Sequence, residues 1–338
     1  GNPFRHGVNV STTTDTEEKF VVMCAELFGA DPDGIDGFVA TGGSESNSCA
    51  VRWAGAQFPG APFIGGANMH FSLKRAMNFA GRELLEVEAG KGGEIDIGAL
   101  ERVLAECKGR GIDAVCLMLV CGTTMSEAHD NIDAAIEELD RAGYDSEHRY
   151  IHVDAAYSGF VLPFLKDVDP GIRIDFGRQG LSSCSASLQK ALGVSCPASI
   201  FLIKKNISKP TFYEYIQTTD ITLSCCRNGY PVFEAWAMLT HILGTGREEW
   251  SSRWQRGVTM AADFKAKLEK AEVVGVTHNP SSVTVVFPQP PDFLVLRYAL
   301  VLQGGRAEIM FNFHNLDGVT SGLFLQEYLT WYAQRHDS

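Results

Sequence analysis

The chain has 338 residues, 45% hydrophobic and 21% charged, enough to bury the core of one large α/β domain or of one with a smaller companion. Acidic residues outnumber basic ones 41 to 29, a formal net charge of −12, which disfavours nucleic-acid phosphates and anionic membrane surfaces as partners. No apolar run reaches the roughly 18–20 residues of a membrane-spanning helix.

The nine cysteines form no CxxC pair and no zinc spacing. With no basic-then-apolar signal pattern at the start, they read as reduced, mostly buried thiols of a cytoplasmic protein. The opening GNPFRHGVNV has no strand or helix period and reads as the interior of a longer protein.

The elements then alternate. Thr14 or Asp15 is expected to cap a helix through TEEKFVVMCAELFG, with Gly29 near its end. GFVAT (37–41) is a strand, and GGSESNSCAVRWAGA (42–56) is a glycine turn into a helix. PFIGGA, HFSLKRAMNFAG and LLEVEA repeat strand, helix, strand. Asp96 caps IGALERVLAEC, AVCLMLV (114–120) is a buried strand, HDNIDAAIEELDRAG is a helix, and YIHVDAA (150–156) is another strand.

This alternation predicts a mostly parallel sheet with helices on both faces. Ligands of such sheets sit at the carboxyl ends of strands. Gly42–Ser44, Thr123–Thr124 and Asp154–Ala156 each follow an apolar run and should share that rim. The last third differs: helical patterns at 231–244 and 247–271, SSVTVVFP, a helical stretch near 292–303, AEIMFNFH, and a closing helix near 318–333. These predict a small α+β domain. The division is placed at 1–240 for a large domain and 241–338 for the small one.

Several residues carry chemistry. The turn TGGSESN (41–47) presents backbone N–H groups and a helix N-terminus to an anion; an ordinary turn capped by Ser44 is the plainer reading. His70 opens a helix, and its flat ring could lie on an aromatic cofactor or simply be half-buried. Asp154 ends an apolar strand, where a carboxylate needs a partner such as a protonated ring nitrogen, and Ala155 and Ala156 leave room for a flat ring. A helix-capping or ion-paired Asp fits the spacing equally. Lys190, among small and apolar residues, suits Schiff-base chemistry if withdrawn from water, and is otherwise an exposed loop lysine. Cys49, Cys184, Cys196, Cys225 and Cys226 lack a histidine partner in sequence and read as buried small hydrophobes.

The ordered set GGSESN, His70, GEID (93–96), GTT (122–124), HVDAA, SLQKALG, CCRNGYPVFEAW and SSVTVVFP resembles the pyridoxal-phosphate-dependent group II amino-acid decarboxylases, in particular the histidine/serine decarboxylase-like branch. The resemblance runs from about Asp15 to near 315. It implies the type I, aspartate-aminotransferase-like fold and pyridoxal 5'-phosphate as cofactor. It implies a carboxy-lyase that converts an L-amino acid to the amine and CO₂, with histidine or serine first among substrates.

The resemblance also implies roles. Lys190 would form the Schiff base, Asp154 would keep the pyridine nitrogen protonated, and His70 would stack on the ring with Ala156 on the other face. Gly43, Ser44 and Ser187 would bind the phosphate, Gln189 could donate to it, and Thr123 would line the ring edge. No metal is implied. A homodimer with a shared active site is expected.

The chain departs from that pattern at Gln189, where His or Asn is usual, at Ser46, where the turn has Gly, and at Cys226 and Tyr230. The resemblance also implies a further N-terminal segment, on the order of 50 residues, ahead of the part matched here. Another type I lyase, or a non-catalytic relative serving as a scaffold, therefore stays open on sequence alone.

Overall fold

The computed structural model describes residues 13–214, 218–312 and 318–336, so the opening decapeptide lies outside the described residues. In chain order the elements are α1 (Thr14–Leu27), β1 (Ile35–Ala40), α2 (Gly43–Gln57), β2 (Phe63–Gly66), α3 (Phe71–Phe79), β3 (Leu84–Val87), α4 (Ile97–Gly109), β4 (Val115–Val120), α5 (Ile132–Arg141), β5 (Arg149–Asp154), α6 (Phe176–Gln179), β6 (Ser183–Ser187) and β7 (Ser199–Lys204). A hairpin of β8 (Thr211–Tyr213) and β9 (Thr218–Asp220) follows. Then come α7 (Tyr230–Leu243), α8 (Arg247–Lys270), β10 (Thr277–His278), β11 (Thr284–Pro288), α9 (Asp292–Tyr298), β12 (Val301–Gln303), β13 (Arg306–Met310) and α10 (Val319–His336).

Seven strands form one sheet in the order β1-β7-β6-β5-β4-β2-β3. The pairs from β6 to β3 are parallel, and β7 runs against both of its neighbours. Alternating side chains explain why the sheet is covered twice. In β4, Cys116, Met118 and Val120 join one core with Trp53 of α2 and Leu73 of α3. Val115, Leu117 and Leu119 join the other, with Phe20 of α1, Leu100 of α4 and Leu139 of α5.

The second sheet, β10-β11-β13-β12, is wholly antiparallel. It packs its apolar face on α8 and α10 through Phe264, Phe287, Phe324 and Tyr328. Helix α8 reaches both sheets: Trp250 Nε1 donates to the Phe160 carbonyl at 3.2 Å at one end, and Phe264 packs on Phe311 at the other.

Two local expectations change. Thr13, not Thr14 or Asp15, is the residue before α1, and its side chain makes no capping bond. The helix expected over 292–303 stops at Tyr298, because Ala299 turns left-handed at φ 50° and Val301–Gln303 pairs as an edge strand with β13. Ser46 lies inside α2, where its buried hydroxyl bonds Ser199 Oγ at 2.5 Å.

Candidate active site

The ends of β1, β4 and β5 open on one rim, with β6 beside them. Asp154 closes β5 and is 3% exposed. Its Oδ1 accepts from the Ala156 N–H at 3.0 Å and its Oδ2 from Asn47 Nδ2 at 2.8 Å. Ser187 closes β6, and its own N–H donates to the Ala156 carbonyl at 3.1 Å. A Cβ added to Gly43 would stand 3.2 Å from Ser187 Oγ, so the first turn of α2 packs close against this hydroxyl. Ser44 is exposed beside it.

After Ser187 the chain makes a single π-turn, Leu188–Leu192, closed by Gly193 at φ 81°. Gln189 Oε1 accepts from the Ala198 N–H at 3.1 Å, which leaves its NH₂ as the free end. Lys190 is exposed on this turn, the second of the two alternatives that the sequence left open. The small neighbours that suggested burial (Ala186, Ala191, Ala198) point into the core, and the π-turn carries the lysine out to the rim.

His70 is the N-cap of α3: its Nδ1 accepts from the Ser72 N–H at 3.3 Å and lies 2.7 Å from Ser72 Oγ. Burial holds its pKa below the ordinary histidine value; Asp154 pulls it up, while Lys190 and Arg75 push it further down. Asp154 and Lys190 are thus near enough for their charges to act on His70. Thr123 is buried, and its Oγ1 accepts from the Ala128 N–H at 3.0 Å within its own turn.

A cavity of about 630 Å³ opens beside His70 and Thr123. Asn68, Phe71, Lys74 and Lys91 wall it from the large sheet's side, and Val286, Gln303 and Arg306 from the small sheet. Asp154 and Lys190 are not among its lining residues.

Asn47 is the residue that sequence reasoning did not single out. It sits one helical turn after Gly43, so it shares that face of α2 and reaches under the rim. Its amide joins Asp154, Ser72, His152 and Ser185. The available signal was its place at the end of GGSESN, four residues from the glycine.

The RNG motif is structural in its contacts. The Arg227 side chain is buried, pairs with Glu17, donates to the Val39 carbonyl at 2.7 Å and lies over the Phe38 ring at 5.0 Å. Of the cysteines, Cys49 and Cys184 are buried, which pushes the Cys49 thiol up to about 12. Cys226 is exposed and Cys196 and Cys225 are partly so.

The residues present fit a pyridoxal phosphate: a buried carboxylate, an exposed amine and a glycine-hydroxyl cradle meet on one rim. The fold is that of enzymes using this cofactor. L-Methionine decarboxylase from Streptomyces sp. 590 superposes with a TM-score of 0.83 at 21% identity, over 98% of this chain and 85% of that one.

A sequence profile of the pyridoxal-dependent decarboxylase conserved domain matches residues 61–289. Histidine decarboxylase of Morganella morganii is 30% identical over 90% of this chain and 78% of its own length. Histidine decarboxylase of Pseudomonas entomophila (strain L48) is 29% identical over 90% of this chain and 73% of its own. The chain therefore belongs to the pyridoxal-dependent decarboxylase family. It is a carboxy-lyase acting on an amino acid, with pyridoxal phosphate as cofactor. Among the described residues no helix is long and apolar enough to cross a membrane.

Proposed function

We propose that the protein decarboxylates L-histidine to histamine and CO₂. The observation that carries the substrate is the likeness, over nine-tenths of the chain, to relatives named histidine decarboxylase. The cofactor, when bound, supplies an electron sink for the pair left on Cα as CO₂ departs.

The chain's own residues do the holding and orienting. Lys190 would hold the cofactor covalently through Nζ. Asp154, already buried and bonded on both oxygens, would keep a proton on the pyridine nitrogen; a buried carboxylate is most stable beside such a cation. His70 and Ala156 would pack on the two faces of the ring, with Thr123 at its edge. Gly43, Ser44, Ser187 and the free NH₂ of Gln189 would cradle the phosphate at the start of α2, where helix and backbone N–H groups favour an anion. Of the cations lining the neighbouring cavity, Lys74 is paired with Glu86 and Arg306 donates to the Gly275 carbonyl, so Lys91 is the one best suited to a substrate carboxylate.

We infer further that two copies associate about a two-fold axis with the site at their interface, as symmetric dimers commonly form. We also infer that the protein works in the cytoplasm. The division into a large unit to residue 240 and a small one from 241 places the break in the last turn of α7, just before the Gly244–Gly246 junction with α8.

The test is the visible spectrum with added pyridoxal phosphate, paired with CO₂ release from a panel of amino acids. Lys190→Ala should abolish both the protein-bound absorbance band and turnover. CO₂ from another amino acid with none from histidine would move the substrate. A band that survives in Lys190→Ala would remove that lysine from its role.

A further inference from the structure

Asn47 has only one satisfactory orientation. One end of its amide faces Oδ2 of the Asp154 carboxylate, an acceptor, so that end is the NH₂. Its oxygen then faces Ser185 Oγ at 3.2 Å and His152 Nε2 at 3.3 Å. The remaining protons follow. The second amide hydrogen goes to Ser72 Oγ at 2.9 Å, which leaves the Ser72 hydroxyl hydrogen for His70 Nδ1 at 2.7 Å. The Ser72 backbone N–H is aimed at the same nitrogen. Two donors converge on Nδ1, so it bears no hydrogen and the imidazole proton is on Nε2.

The far side agrees. His152 must donate from Nε2 to Asn47, so its Nδ1 accepts from Ser183 Oγ at 2.8 Å, and Ser183 in turn accepts from Tyr150 at 2.7 Å. His152 is fully buried, which drives its pKa to about 4 and keeps the ring neutral, as this chain of bonds requires. The bonds run with one polarity from Tyr150 to His70.

We propose that Asn47 is a positioning residue: it holds Asp154 in place and, through Ser72, locks His70 in the tautomer that carries its proton on Nε2. Its value to catalysis rests on the reading that His70 and Asp154 flank the cofactor. The tautomer itself follows from the geometry alone. The arrangement leaves an N–H, rather than a lone pair, on the ring nitrogen not committed to α3.

The experiment is ¹⁵N spectroscopy of histidine-labelled protein, with His70 assigned through His70→Asn. Near neutral pH, His70 Nδ1 should show the shift of an unprotonated ring nitrogen and Nε2 that of a protonated one. Asn47→Asp cannot donate to Ser72. The Ser72 hydroxyl should turn to the new carboxylate, His70 Nδ1 should gain a proton, and the His70 titration midpoint should rise.

Should repulsion from Asp154 unfold that variant, Ser72→Ala removes only the hydroxyl link and should give mixed tautomers, while Ser72→Thr should restore the native pattern. In loaded enzyme Asn47→Asp should lower kcat about 10²-fold with little change in KM, the cost of a misplaced group. A native His70 protonated on Nδ1, or an unchanged pattern in folded Ser72→Ala, overturns the proposal. Borohydride trapping of the cofactor followed by peptide mapping checks the reading separately. A label absent from Lys190 sinks that reading without touching the tautomer result.

Discussion

Two buried glutamates tie distant segments to this fold, and their surroundings shift their pKa values in opposite directions. Glu17 on α1 accepts from the Val39 N–H at 2.7 Å and pairs with Arg227, so α1, β1 and the loop before α7 meet on one carboxylate. Burial alone pushes Glu17 up, but nearby positive charge, the Arg227 guanidinium first, outweighs it and the carboxyl lies below its usual range. Glu127, in the loop after β4, binds the start of β11 by accepting from Ser282 Oγ, the Val283 N–H and Thr284 Oγ1 at 2.9, 2.9 and 2.8 Å. No cation faces it among the described residues. Its Oε1 has no hydrogen-bond partner there, nor has Oε2 of the neighbouring Glu308. Burial raises Glu127 to about 7; burial and then Glu127 raise Glu308 to about 8. Equal burial thus gives a fixed charge at one junction and a titrating group at the other. The difference is whether a cation is buried with the acid.

Removing the cation should convert the first junction into the second. Arg227→Ala leaves Glu17 buried without its guanidinium partner, and is expected to cost about 3–5 kcal/mol near neutral pH, read from the urea midpoint. The paired change Glu17→Gln with Arg227→Met should recover most of it, since no buried charge remains. Equal losses in the single and double variants would show that Arg227 matters through its packing on Phe38 instead.

The Glu127–Glu308 junction predicts a smaller, pH-shaped effect. Both carboxyls keep their protons to higher pH in the folded protein than in the unfolded chain. The folded state therefore binds more protons over this range, so stability falls as pH rises from about 4.5 to about 8 and then levels off. Glu308→Gln should flatten much of that slope. It should change the melting temperature little at pH 5 and raise it at pH 9. An unchanged slope would mean that the two carboxyls do not share the junction.

What the sequence disclosed, and what it hid, follows the same division between local and distant causes. The run AVCLMLV could be read as a fully buried strand because an apolar residue at every position needs cover on both faces, and β4 has it. Asp96 was legible as a cap because its partner, the Ala99 N–H at 2.7 Å, is three residues away. The rim residues could be placed because each follows a strand. The helix expected over 292–303 failed because FLVLRYALVLQ suits either structure; the left-handed Ala299 and pairing with β13 decided it. The exposure of Lys190 stays open on sequence alone because it depends on the π-turn Leu188–Leu192. Asn47 stayed hidden because its partners lie 25, 105, 107 and 138 residues away.

A neutral pair gives the lower end of the scale set by the two glutamates. Ser46 and Ser199 share one hydrogen bond between α2 and β7, with both residues fully buried and no charge involved. Ser46→Gly places at this position the residue usual in the resembling family. It removes the hydroxyl from α2 and leaves Ser199 Oγ without this partner. A glycine inside a helix costs roughly 0.5–1 kcal/mol and a lost buried hydrogen bond about 1 kcal/mol. The sum, about 1–2 kcal/mol, should be independent of pH, unlike the effect at either glutamate. Cofactor affinity should change little, because neither hydroxyl contacts Gly43, Ser187 or Lys190. A loss above that range, or one that varies with pH, would show that α2 is held to β7 by more than this bond, and that the contrast between charged and neutral junctions is not the controlling one.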